Sequence, residues 1–270
     1  MQTTSKTLED SASDQKIATS KQPIYARYYP VKKISVVDIQ QMYGVFQRYY
    51  EHTDVETFLK DLSKKSGVIL IRTKQDDRIV GFSTIVSMDI PIGDKMGRGI
   101  FSGDTIIERE FWGTRALQFA FYRYCLLEKV LMGRRPLFWF LISKGYKTYL
   151  LMANNFVDYY PNPDSKNPEL RDVVRLYCEK MFPGRYDTNR ELLDFGENAQ
   201  CLKGDVSIIT DELRQKYPKI HFFESRNPTW EQGTELPCVG VIQWKLALNF
   251  VVKALRSPFT TQARQARVAK

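Results

Sequence analysis

Histidine is nearly missing: the 270 residues hold two, His52 and His221, and neither accompanies a serine or cysteine in an arrangement that would pair a nucleophile with a base. The four cysteines, at 125, 178, 201 and 238, stand too far apart for zinc-ligand spacing or a disulfide framework and read as reduced thiols. The HExxH pair, the Walker loop and the Rossmann fingerprint are also missing, which removes the motif-based case for metal, nucleotide-hydrolysing and hydride-transfer chemistry. No stretch reaches the roughly twenty apolar residues of a membrane span. The most hydrophobic late segment, 239–255, is interrupted by Gln243, Lys245, Asn249 and Lys253. Residues 1–22 set three lysines against three acids and lack the apolar centre of a signal peptide, so a disordered leader on a cytoplasmic protein is expected.

What is present is a globular composition, 43% hydrophobic and 13% aromatic, enough to bury a core and to exclude a disordered chain. The net charge of +9 is unevenly placed: Lys245, Lys253, Arg256, Arg264, Arg267 and Lys270 face no acid from residue 236 onward. Such a basic tail is a solvated end, or it suits an anionic membrane surface or an acidic partner protein. Its cations are not interleaved with aromatics as in a nucleic-acid module, so no nucleic-acid partner is expected.

Along the chain, 23–30 alternates bulky and polar residues as a short strand does. Ser35 with Asp38 resembles a capping box before a helix carrying Val36, Ile39, Tyr43, Phe46 and Tyr50, and Thr53 with Glu56 opens a second helix. Strands follow at 68–73, 79–88 and 98–107, then a long apolar helix at 115–131. The nearly all-apolar run 136–142 reads as a central strand covered on both faces. A short helix at 146–153 and a strand at 156–160 complete a β-α-α-β-β-β-α-β-α-β order. Beyond it come helices at 168–181 and 205–216, irregular chain at 183–204, a strand at 220–224 and a C-terminal helix at 239–256. Residues 227–233 are turn-rich and are either a flap over a cleft or an ordinary connector.

On the third strand of the central run, Ser102 and Asp104 share a face by the period-two rule, where Asp104 would serve as a base for an amine, with Glu108 behind it. Gly103-Asp104 also suits a bulge or bend.

That element order, with a strand running into Ile107-Glu108-Arg109-Glu110-Phe111-Trp112-Gly113-Thr114-Arg115-Ala116-Leu117 and a later helix ending in Asn155-Phe156, resembles the GCN5-related N-acetyltransferase (GNAT) superfamily over residues 24–160. The resemblance implies an α/β (α+β) fold with a mixed, mostly antiparallel central sheet flanked by helices, here with a helical C-terminal extension. The implied division is 1–22 leader, 23–160 acyltransferase core, 161–257 extension and 258–270 basic tail. It further implies that Ile107, Trp112, Gly113, Thr114, Arg115 and Ala116 hold the pyrophosphate of an acyl-CoA donor at the start of a helix. Glu110, Phe111 and Gly113 fit the family run Val-x-Pro-Glu-Tyr-Arg-Gly-x-Gly-x-Gly, whereas Trp112 replaces an arginine and Arg115 and Leu117 replace glycines.

The family's tyrosine, which protonates the leaving thiolate, has Leu151 in its place, so Tyr149 or Tyr146 on the same helix would have to act instead. The implied activity is transfer of an acyl group from a thioester, on CoA or on acyl carrier protein, to a small-molecule amine by direct attack without a metal. Carrier-protein users make long-chain N-acyl products, and a non-catalytic acyl-binding protein is the remaining alternative. Acyl carrier protein or the inner face of a membrane would meet the basic C-terminus. In the family this strand splays from the next, expected here near 106–108 against 137–141, and Trp112, Phe138, Trp139 and Phe140 would line the acyl arm.

Overall fold

The computed structural model describes residues 22–50, 53–196 and 209–245. Strand β1 (Ile24–Pro30) leads into helix α1 (Val36–Tyr49), which opens on a capping box: the Ser35 hydroxyl accepts from the Asp38 amide at 3.1 Å and the Asp38 carboxylate accepts from the Ser35 amide. Helix α2 (Val55–Ser63) is capped by Asp54, which accepts from the Thr57 amide at 2.7 Å, rather than by Thr53. Strands β2 (Gly67–Thr73), β3 (Ile79–Ile92) and β4 (Lys95–Ile107) form an antiparallel meander on β1. Helix α3 (Ala116–Met132) then crosses to β5 (Leu137–Ser143), followed by α4 (Tyr146–Ala153) and the short β6 (Tyr159–Tyr160).

The extension contributes α5 (Leu170–Met181), β7 (Tyr186–Asp187), β8 (Leu192–Asp194), α6 (Asp211–Lys216), α7 (Pro218–Arg226) and β9 (Thr234–Val241). The sheet runs β1-β2-β3-β4-β5-β9-β8-β7, with β6 also paired to β9. The β4–β5 pair is parallel and the other described pairs are antiparallel. The expected mixed, mostly antiparallel sheet between helices is therefore present.

Both faces are covered. One carries α3, α4 and α7 over Ile69, Ile85, Ile100, Trp139 and Leu141. The other carries α1 and α2 over Val68, Leu70 and Phe82, and α5 over Phe101, Phe138, Phe140 and Val239. Six of the seven β5 residues are buried, as its apolar run requires. No helix among the described residues is long and apolar enough to cross a membrane.

Two expectations for the extension fail. Residues 220–224 lie inside α7, because Pro218 at the first helical position and Ile220 with Phe223 turned to the core favour a helix. Residues 239–241 belong to β9, whose apolar run alternates between β5 on one side and β6 on the other; helix begins only at Trp244. The remainder of that expected helix, the leader, the basic tail and part of 205–216 lie outside the described residues. The irregular stretch 183–204 holds the two short strands β7 and β8.

The extension is joined to the core by aromatic stacking. Phe140 of β5 lies 4.2 Å from the Tyr177 ring of α5, and it reaches that place only because Gly99 on β4 has no side chain: a Cβ there would stand 2.1 Å from the Phe140 ring. Gly99→Ala is expected to lower stability by about 1–3 kcal/mol through overpacking, read as an earlier midpoint in urea unfolding. An unchanged midpoint would show that Phe140 can turn aside.

Candidate active site

β4 and β5 pair over only four positions, Arg98↔Leu137 to Phe101↔Phe140. Beyond them β5 stays with β9 as far as Ser143↔Leu236, while β4 stays with β3 as far as Ile107↔Gly81, so the two parallel strands part. The opening starts at Ser102, earlier than the 106–108 that the resemblance implies. Its cause is in the register: Ile85 faces Ser102 and Ser83 faces Thr105, so Gly103 and Asp104 together oppose Thr84. This is a β-bulge, which bends its strand and re-aims a side chain. It also overturns the expectation that Ser102 and Asp104 share a face. Ser102 accepts from the Trp139 indole at 2.9 Å on the α3 face, whereas the bulge pair lies with Thr84 and Lys65 on the α1–α2 face.

Glycine at 103 is required by the same geometry, since a Cβ would lie 2.5 Å from the Thr84 hydroxyl oxygen. That oxygen is buried and has no hydrogen-bond partner among the described residues. Burial pushes the Asp104 carboxyl above the usual carboxylate range, although Lys65 and Lys144 draw it back. Glu235, 4% exposed at the start of β9, is raised by its own burial; Lys144, 3.3 Å away, opposes the shift and Asp104 adds to it. Tyr50, at the end of α1, is raised by burial and by both carboxylates. Two acids, a tyrosine and two lysines thus converge from β4, β9, α1, α2 and the end of β5.

Sequence reasoning missed Glu235, because the strand-like run after it merged with the apolar residues that follow. The connector ahead of it is anchored rather than flap-like. Asn227, wholly buried, donates to the Thr234 carbonyl at 2.9 Å and accepts from the Thr234 hydroxyl at 2.6 Å, which fixes where β9 begins.

The other predicted residues fall elsewhere. Glu108 is 5% exposed and engaged by two arginines, with Arg48 at 2.7 Å and Arg78 at 2.9 Å to both oxygens, so it ties α1 and β3 to the end of β4. Tyr149 is fully buried and donates to the Pro161 carbonyl at 3.1 Å, and burial raises its hydroxyl. Phe138 and Phe140 pack under α5, and Trp139 stands 5.1 Å from Phe121 and 5.2 Å from Phe156, so these aromatics are core.

Residues 107–116 form the turn between β4 and α3. Ile107 accepts from the Trp112 indole at 2.8 Å, the Thr114 hydroxyl donates to the Phe111 carbonyl at 2.8 Å, and Arg109 lies over the exposed Trp112 ring. Gly113 adopts φ +77°, the left-handed region that favours glycine, with open space on its side-chain face. Arg115 is the α3 cap and supplies no side-chain bond, no acid occupies the first turn, and the first helical bond runs from the Phe119 amide to the Arg115 carbonyl. The amides of the first turn, Ala116 included, therefore present their positive end outward beside the exposed Thr114 and Arg115.

No family model and no curated protein matches this chain. Among solved structures it is similar to a conserved protein of unknown function from Enterococcus faecalis V583 described as a probable N-acyltransferase, at 13% identity and a TM-score of 0.37 over 48% of this chain and 32% of that one. It is similar to the GNAT family N-acetyltransferase YhbS from Escherichia coli in complex with CoA, at 8% identity and a TM-score of 0.34 over 46% and 65%. It is also similar to aminoglycoside 6'-acetyltransferase type Ii, at 15% identity and a TM-score of 0.32 over 52% and 88%. The chain spans about a third of the length of the first and just under two thirds of the second. The sheet itself is mixed and mostly antiparallel, flanked by helices and parted between β4 and β5.

Proposed function

We propose that this protein is an N-acyltransferase that moves an acyl group from an acyl-CoA thioester to an amine by direct attack. The observation that carries the reading is the parting of β4 from β5 with Asp104 in the bulge that causes it. Past Phe101 the β5-facing edge of β4 has no strand partner among the described residues, which leaves backbone donors at the place where a thioester carbonyl would develop negative charge. The uncapped start of α3, with Gly113, Thr114, Arg115 and Ala116, favours the donor's pyrophosphate.

In the proposed step the amine nitrogen attacks the thioester carbonyl carbon, the C–N bond forms and the C–S bond breaks. A cationic acceptor first releases one proton to solvent to free its lone pair; on attack a second passes to the Asp104 carboxylate, and the departing thiolate takes a proton from solvent. A base must lose its own proton before it can accept another, and burial places that loss at a higher pH than for an ordinary aspartate. Glu235 and the unpartnered Thr84 hydroxyl flank the route of a cationic acceptor. An acyl-carrier-protein donor is the second reading, favoured by Arg109 and Arg115, which are exposed on either side of the turn and suit an acidic protein surface.

Thermal-shift titrations with acetyl-CoA, long-chain acyl-CoA and acyl-carrier protein, followed by mass spectrometry for new amides from a pool of amines, test the reading. Stabilisation by a CoA thioester with amide formation supports it, stabilisation by carrier protein alone moves the donor, and binding without turnover refutes catalysis. The rate should rise with pH through an apparent pKa above the usual carboxylate range. Asp104→Asn should lower kcat/KM by about 10²–10⁴-fold and abolish that limb; a variant that keeps both would remove Asp104 from the mechanism.

The same substitution should act oppositely on stability. A folded-state pKa above the unfolded value gives stability that is full below the unfolded pKa and is lost as pH rises through the folded one. At neutral pH the native state therefore carries the cost of an ionised Asp104, and Asp104→Asn should unfold at a higher temperature than the parent at pH 7, with the difference vanishing in acid.

A further inference from the structure

At the far edge of the sheet, where β6 ends, a cleft of about 370 Å³ lies between α5, α7 and the β7–β8 turn, and it shares no lining residue with the β4–β5 opening. Its floor is a carboxylate. Glu191 is 7% exposed and sits at φ +56°, an unusual conformation for a non-glycine residue. The turn that presents it is stapled: the Asp187 carboxylate accepts from the Asn189 amide at 2.9 Å and the Arg190 amide at 3.1 Å, and the Glu191 amide donates to the Asp187 carbonyl at 2.7 Å.

Three donors from three elements converge on Glu191. Tyr160 of β6 donates to Oε2 at 2.8 Å, Arg226 of α7 gives its Nη2 to the same oxygen, and Arg171 of α5 gives its Nε to Oε1. Burial pushes this carboxyl up, but the Tyr160 hydrogen bond and the two guanidinium groups outweigh it and hold the acid ionised.

Two fixed cations meet one fixed anion, so the floor keeps one positive charge in excess. Among the described residues Arg171, which lines the cleft, commits only its Nε to a side-chain bond and its side chain is 61% exposed, so the terminal nitrogens of its guanidinium are accessible. A guanidinium fork matches the two oxygens of a carboxylate or phosphate, and here the buried acid orients it in advance. Pro161, Pro168 and Phe222 form an apolar wall beside it. The volume exceeds what one small ion fills and falls at the lower end of small-molecule pockets.

We propose that this cleft is a second binding site that takes the oxyanion of a small molecule, a carboxylate or a phosphate, on Arg171 and Arg226, with the molecule's apolar body against Pro161, Pro168 and Phe222. Glu191 is a positioning residue in this arrangement, since it acts through the arginines. The reading is independent of acyl transfer and stands or falls without it.

The test is thermal shift and calorimetry on the full chain with phenyl phosphate, phenylacetate, inorganic phosphate and acetate, each against sodium chloride at equal ionic strength. The expected result is saturable stabilisation by at least one of the two ring-bearing anions, stronger than by its ring-free counterpart. Response to the phosphates alone identifies a phosphate ligand, and response to the carboxylates alone a carboxylate. Arg171→Gln should weaken that binding by about tenfold or more, and Arg171→Lys, which keeps the charge and loses the fork, should weaken it as well. Stabilisation no greater than that of chloride, or equal affinity in both variants, overturns the proposal. Should Arg171→Gln fail to fold, Arg171→Lys and the ring-bearing against ring-free comparison on the parent still decide it.

Discussion

The structure depends on the competition of two neighbours for two strands. β4 keeps β3 along its whole length and β5 keeps β9 to its end, so the β4–β5 contact, the only one that both could give up, breaks after four residues. One extra residue at Gly103-Asp104 turns that preference into a physical separation by bending β4 away. Backbone amides and carbonyls left inside a sheet need partners. An opened parallel pair thus persists where water or a ligand supplies them. Gly103 is the residue that permits it, because any side chain there would collide with Thr84.

The acids around this gap divide by how they are paired. Glu108 satisfies two arginines and contributes to holding α1, β3 and β4 together; its oxygens are engaged by Arg48 and Arg78. Asp104 and Glu235 have lysines near them but are held above their ordinary protonation range, because burial costs the charged form more than those lysines return. A carboxylate that the fold stabilises poorly, as burial does Asp104, has free energy to gain by taking a proton.

Much of the core was legible in the sequence because its signals are local. The capping pair Ser35 and Asp38, the apolar run of β5 and the polar turns around β3 each announce an element by short-range pattern. The site was only half legible. The bulge was one of two readings of Gly103-Asp104, and period two favoured the other, since a single extra residue leaves no mark on alternation. Glu235 was invisible because β9 reaches β5 across more than ninety residues, and an apolar stretch before Trp244 satisfies helix and strand patterns alike. The 220–224 segment failed for a related reason: Pro218 is a start signal for a helix, but three bulky residues in succession suit a strand until Ile220 and Phe223 are seen facing one core.

The two sides of the gap differ in chemistry. On the face of α3, an uncapped helix start turns its positive end outward beside Arg115, which favours a phosphate-bearing donor. On the face of α1 and α2, the buried Asp104 and Glu235 lie beside Lys65 and Lys144, a set of acids and bases among which a proton can be passed. The sheet separates these faces everywhere except where β4 and β5 part. In the proposed reaction, donor and acceptor held on opposite faces would meet only at that opening. In that proposed reaction no side chain would have to bridge the two reactants, because the amine would lose its proton on the side where the carboxylates lie. This is consistent with Tyr149 remaining in the core.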